Sequence, residues 1–344
     1  MERSLPTPEH LSPGYFAMVM GTGILSIGTA QRGWQMPSLV LLGLAAVAYA
    51  LLCALNVWRL LRFRPAFDAD MHDTRKAFLA FTFVAATDVL AAALAGQGAP
   101  TALVAVLLAV GTLAWLVLGY SVPWAAVLNR SERPVTAAAN GTWFIWVVAS
   151  QSVSVVAALL ETQVDAAQSA LAILAVLAWS VGLALYCGVA IFVALRMLVY
   201  PLDPREFDPP YWVSMGAIAI TIVAGARIVE MQSTPMVDAV RGLVAGVAVV
   251  LWGFATWLIP VLFAVGYWRH WLKKVPLRYE PTMWSIVFPL GMYAVACMYL
   301  GRADNLPIVR RLGELWIWVA LAAWTATFAG MVHSWFAKAR AAAV

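Results

Sequence analysis

The chain has 344 residues, 63% of them hydrophobic and only 11% charged, and its mean hydropathy is +0.83. A water-soluble domain carries roughly a quarter of its residues charged, so this composition excludes one and places lipid against the outer surface. The formal charge of +5 needs no nucleic-acid partner, and none is expected, because Lys and Arg gather at the cytoplasmic ends of membrane helices.

Residues 1–12 are polar, contain Pro6 and Pro8, and lack the basic, apolar, small-residue order of a cleavable signal. The first apolar run is therefore expected to stay in the mature protein. Crossing about 30 Å of hydrocarbon at about 1.5 Å per residue takes roughly 20 residues. Ten runs are near or above that length, at 13–30, 38–61, 76–95, 100–123, 138–160, 167–200, 211–231, 237–268, 281–300 and 312–336. Their connections are short and hold turn formers such as Arg32-Gly33, Gly96-Gln97-Gly98, Asp203-Pro204 and Asp304-Asn305. No Ser/Gly-rich linker or charge block divides the chain, so residues 1–344 are read as a single all-α integral membrane domain.

Basic residues fall in alternate connections: Arg59, Arg62, Arg64, Arg75 and Lys76; Arg130 and Arg133; Arg196 and Arg205; Arg269, Lys273, Lys274 and Arg278. Arg3, Lys338 and Arg340 at the ends belong to the same side, against Arg32, Arg241, Arg302, Arg310 and Arg311 on the other. This bias predicts a multi-pass protein of a bacterial-type inner (plasma) membrane with both termini cytoplasmic, which requires an even number of spans. Trp58, Trp268, Trp271 and Trp335 lie near span ends, where interfacial anchors sit.

Odd and even spans differ. The even ones are longer and almost continuously apolar, whereas the odd ones carry Gly, Pro, Ser, Thr and occasional charges. Pro13-Gly14-Tyr15-Phe16 and Met20-Gly21-Thr22-Gly23 in the first are echoed by Pro210-Tyr211-Trp212 and Met215-Gly216-Ala217 in the seventh. The fifth has Asn140-Gly141-Thr142-Trp143 and Ser150-Gln151-Ser152, and the ninth Phe288-Pro289-Leu290-Gly291. The pattern repeats every two spans and predicts five helical hairpins, with odd helices forming an inner ring and even helices an outer one. Small and polar residues inside spans line a wet cavity or permit close helix packing, since lipid offers no hydrogen-bond partners. On the pore reading Gly21, Thr22, Gly23, Gly141, Gly216 and Gly291 shape a lumen; on the packing reading they bring helices together.

Charged groups inside spans are costly and mark candidate chemistry. Asp88 lies mid-span in Ala85-Ala86-Thr87-Asp88-Val89; it either couples transport to proton uptake or is held by a structural hydrogen bond. Arg227 lies late in the seventh span, with Glu230 one turn on; it either attracts anions or pairs with that glutamate. His333 reads as interfacial. Gly21-Thr22-Gly23 lacks the lysine and strand context of a phosphate loop. Cys53, Cys187 and Cys297 are far apart in apolar runs, so no disulfide framework, metal or cofactor is expected. One constellation suggests an enzyme: Asp68, Asp70, His72 and Asp73, with Asp203 and Asp208, resemble the way membrane prenyltransferases hold magnesium diphosphate. A solvated loop beside Arg64, Arg75 and Lys76 is the simpler account, and no enzymatic activity is expected.

The first span and the Phe-Asp-Pro-Pro-Tyr-Trp start of the seventh resemble the tellurite-resistance/dicarboxylate transporter family. That family includes TehA-type bacterial proteins, fungal malate and sulfite transporters, and the slow anion channels of plant guard cells. Met20-Gly21-Thr22-Gly23-Ile24 is most similar to the fungal branch. The resemblance implies five hairpins around a pore in each subunit, assembly as a homotrimer, and a small inorganic or organic anion as cargo. C4-dicarboxylates such as malate, or sulfite and tellurite-type oxyanions, are the first expectation; passive chloride or nitrate conduction is the alternative. It also implies a gate, a phenylalanine of the ninth span that plugs the pore. Phe288, followed by Pro289 and Gly291, matches that position and context, and without the resemblance it reads as a packing residue.

Overall fold

A computed structural model of the chain describes residues 8–128 and 135–343. Arg3, Arg130 and Arg133, counted above for orientation, lie outside them. The regular structure among the described residues is entirely helical: α1 (Phe16–Gln31), α2 (Gln35–Arg62), α3 (Arg64–His72), α4 (Phe81–Gly96), α5 (Thr101–Leu128), α6 (Phe144–Glu161), α7 (Gln168–Val199), α8 (Val213–Glu230), α9 (Pro235–Tyr267), α10 (Trp284–Ala303) and α11 (Pro307–Ala343). Nine segments among the described residues are long and apolar enough to cross a membrane. The run expected to cross first is α1, whose 16 residues include three glycines and fall short of a full crossing on their own. The loop expected between 61 and 76 contains α3, a surface helix that carries Asp70 back to Arg59.

The odd–even contrast of the sequence corresponds to two packing environments. In α4, α6, α8 and α10 with their leading turns, 78–83% of the apolar window is buried within the protein. In the long helices α2, α5, α7, α9 and α11 only 17–39% is buried. Each short helix packs on the long one that follows it, and the short helices touch in cyclic order: α1 on α4, α4 on α6, α6 on α8, α8 on α10, and α10 back on α1. Long helices expose Leu, Val, Phe and Trp side chains such as Leu61, Trp124, Val250 and Trp257, as a lipid-facing surface requires.

Each short helix starts with a 3-10 turn: Pro13–Tyr15, Ala77–Ala80, Gly141–Trp143, Pro209–Trp212 and Pro281–Met283. Proline opens three of them, where its missing N–H costs nothing. Ser12 Oγ accepts from Gly14 N at 3.2 Å, and Asn140 Oδ1 accepts from Thr142 N at 2.8 Å. The five turns also touch in cyclic order. They approach closely at Gly141, where a Cβ would stand 2.3 Å from the backbone of Pro210 and Tyr211. Gly141→Ala is therefore expected to push these neighbouring turns apart and cost about 3 kcal/mol. A thermal melt of the detergent-purified protein checks this; an unchanged midpoint would mean that the turns separate freely.

Two buried arginines tie long helices to these entries. Arg59, at the end of α2, donates through Nε to the Glu9 carbonyl at 2.9 Å and through Nη2 to Asp70 at 2.6 Å. Arg196, late in α7, donates to the Ala137 carbonyl at 2.9 Å and to Glu206 at 2.8 Å. Each arginine thus grips the chain just ahead of the short helix of its own hairpin. In each, a carboxylate neutralises the charge and backbone carbonyls accept further N–H groups, while Arg59 Nη1 is buried without a partner.

Candidate functional site

A cavity of about 340 Å³ opens where the short helices end, and its lining comes from α1, α4, α6, α8 and α10 together with Gln97, just after α4. No long helix contributes to it. Its deep end is marked by Ile24, Asp88, Ser152, Ile220 and Met292, and its mouth by Gln31, Gly96, Arg227, Glu230, Tyr299 and Arg302. Seven residues separate Ile220 from Arg227, so about 10 Å of helix lies between the two ends.

Asp88 is 1% exposed. Ser152 Oγ donates to its Oδ2 at 2.8 Å, while Oδ1 lacks a hydrogen-bond partner. That oxygen faces Gly111 of α5, where a Cβ would stand 2.5 Å away. Asp88 takes part in none of the ion pairs among the described residues. One oxygen is thus structurally held and the other is unsatisfied.

Arg227 is paired with Glu230 and packed on Tyr299. Nη1 pairs with Glu230 Oε2 at 3.0 Å, and Nη2 donates to the Tyr299 hydroxyl. Its guanidinium lies 4.2 Å from the centre of the Tyr299 ring, and its Nε is buried without a partner. Arg302 approaches the same ring, at 5.0 Å. Cation–π attraction holds both cations on one aromatic side chain.

Below the cavity the walls close. Met292, Val295, Tyr299 and Arg302 recur at helical spacing on one face of α10, and the next residue down that face is Phe288, 1% exposed. The same step continues α1, α6 and α8 to Met20, Val148 and Gly216, all buried. Pro289 lies inside α10 and leaves its backbone ladder one hydrogen bond short. Its ring fills the space above Gly216, where a Cβ would meet it at 2.8 Å.

The remaining residues singled out in the sequence do not line the cavity. Gly21 abuts Val287, Gly23 abuts Val89, and Gly291 abuts Ile24, so these positions bring inner helices together. Gly141 belongs to the ring of turns at the other end. Thr22 is directed toward α11, where Trp324 Nε1 donates to its hydroxyl at 3.0 Å. His333 lies on the outer helix α11 in a groove beside Phe336.

The aspartates of the enzyme reading have other partners. Asp70 pairs with Arg59 and Lys76, Asp73 with Lys76, and Asp68 with Arg64, while Asp203 Oδ1 accepts from Arg205 N. Among the described residues no three His, Cys, Asp or Glu side chains are placed to hold a metal. Asp208, just ahead of the fourth turn, is pushed up to about 6 by burial, against the opposing pull of Arg269.

Arg302 and Gln31 are the residues that span counting missed. Both sit at the last turn of a short helix, and a polar group ending an inner span was the available signal.

Residues 10–332 match the model of the family described as voltage-dependent anion channel. An uncharacterized membrane protein of Mycobacterium tuberculosis (strain H37Rv) is 56% identical over 149 residues, covering 43% of this chain and 76% of that protein. Two uncharacterized transporters of Methanocaldococcus jannaschii align over 333 residues. One is 24% identical, covering 95% of this chain and 94% of its own; the other is 21% identical, covering 93% of each.

Proposed function

The chain belongs to the voltage-dependent anion channel family, and from that membership we propose that it moves small anions across the bilayer through the space between its five short helices. The observation that carries this reading is the cavity, walled by the short helices and Gln97 with no long helix, with guanidinium groups at its mouth and an apolar closure beneath. In this reading Arg227 draws the anion in, Phe288 with Pro289 forms the gate, and Asp88 handles a coupling proton. Gly21, Gly23, Gly216 and Gly291 let the inner helices approach closely enough for the closure to be tight.

The cargo is read as a C4-dicarboxylate such as malate, or a sulfite- or tellurite-type oxyanion, in line with the fungal likeness of the first span. Passive chloride or nitrate conduction is the second reading, and the buried phenylalanine favours it, because an apolar constriction gates by excluding water. The charge bias supports an inner-membrane protein with both termini in the cytoplasm, whereas assembly as a trimer rests on family likeness. Reconstitution into liposomes and flux measurement over malate, sulfite, tellurite, chloride and nitrate tests the proposal. Accelerated flux of at least one anion over protein-free liposomes is the expected result; none for any of the five would overturn it.

A further inference from the structure

At the cavity mouth the short helices present their C-terminal ends, with Gln31, Gly96, Glu230 and Arg302 lining it. A helix C-terminus carries a partial negative charge of about half an electron, so this entrance repels anions unless side chains reverse its sign. Two guanidinium groups oppose that charge, Arg227 (paired with Glu230) and Arg302, and Gln31 adds an uncharged donor. Arg227 has a buried Nε without a partner. Arg302 lines the mouth, packs on the Tyr299 ring and makes no ion pair among the described residues; its Nε bonds back to the Met298 carbonyl at 3.3 Å. Gln31, on the neighbouring α1, has both amide atoms buried without hydrogen-bond partners. A buried, unsatisfied amide in a polar mouth is costly unless something is meant to fill it.

We propose that Arg302 and Gln31, with Arg227, form a docking site at this mouth that favours oxyanions over halides. The site rests on the transport reading above and assigns residues which that reading does not use. Its selectivity follows from donor geometry. The donors sit on three helices, α1, α8 and α10, consecutive in the packing order. An oxyanion offers several separate acceptor oxygens to such a set, and a guanidinium meets two of them in one plane. A halide is a single centre: it accepts hydrogen bonds too, but it cannot meet the two donors of one guanidinium edge with separate acceptor atoms. Gln31 contributes direction without charge, so its contribution is larger for an oxyanion, which has a separate oxygen to place on it.

The test compares nitrate and chloride, similar in charge and size, in flux assays on liposomes containing the full chain. Arg302→Gln is expected to raise the half-saturating nitrate concentration about tenfold, the equivalent of one charge-assisted hydrogen bond, and that of chloride by less. Gln31→Ala raises the nitrate value more than the chloride value. Arg302→Lys restores the charge and with it chloride, but not the planar donor pair that nitrate uses. Arg311→Gln, which removes an exposed charge from α11, keeps both wild-type values. Wild-type values in both Arg302→Gln and Gln31→Ala overturn the docking site. So does an equal loss of nitrate and chloride, or an Arg311→Gln effect as large as that of Arg302→Gln, since either points to a general surface field. Wild-type protein without flux of any anion defeats the transport reading itself, and is seen before any variant is compared.

Discussion

Phe288→Ala is expected to raise anion flux into proteoliposomes about tenfold or more, which asks for only about 1.4 kcal/mol off the barrier. The ring is 1% exposed and lies one helical turn below the deepest α10 residue of the cavity wall. Met20, Val148 and Gly216 surround that level with nothing that can solvate an ion. An anion passing there must shed its water against apolar groups, and the phenyl ring is the largest of them. Truncation leaves a void wide enough to wet, which lowers this desolvation cost. The same substitution removes a core side chain and is expected to destabilise the fold by about 3–5 kcal/mol. Phe288→Leu separates the two effects: it keeps most of the packing and should give an intermediate flux. Unchanged or lower flux in a well-folded Phe288→Ala protein would sink the gate assignment.

The alternation of spans was legible in the sequence because lipid-facing and protein-facing helices need different side chains at every turn. Leu61, Val250 and Trp257 face outward on long helices, while Gly21, Ser152 and Asp88 are confined to short ones. Asp88 stood out because a mid-span carboxylate is rare. The role of each glycine was harder to read, since a small residue in a span is equally consistent with a lumen and with a tight contact. Only geometry placed Gly216 under Pro289 and Thr22 toward Trp324. Arg302 and Gln31 escaped for a related reason. As span-end residues they resemble ordinary interfacial groups, and their importance arises when α1, α8 and α10 bring their last turns to one mouth. The helix α3 was hidden by its polarity, because nine residues containing three charges and a proline look like a loop until Asp70 is seen to meet Arg59.

Asp88→Asn distinguishes a proton-coupled carrier from a channel. If each anion enters with one proton, a gradient of one pH unit supports about tenfold accumulation, since one unit of pH is worth about 1.36 kcal/mol. The substitution should reduce that ratio to one while passive flux persists. Asn retains an oxygen to accept from Ser152, and its size matches that of Asp, so the walls of the cavity stay as they are. What changes is the second oxygen, now an amide nitrogen, which faces the space left by Gly111 and cannot take up a proton. The carboxyl is suited to the coupling role by three features together: burial at the deep end of the cavity, one hydrogen-bonded oxygen and one unsatisfied oxygen, and no ion pair among the described residues to fix its charge. A structural aspartate would be satisfied on both oxygens, and its replacement would show in the melting temperature instead of in the accumulation ratio. Uphill uptake in wild type that survives Asp88→Asn would therefore move the proton elsewhere. Passive flux in both proteins, without accumulation in either, would identify a channel whose buried carboxyl tunes the field at the floor of its vestibule, just above the phenylalanine that closes it.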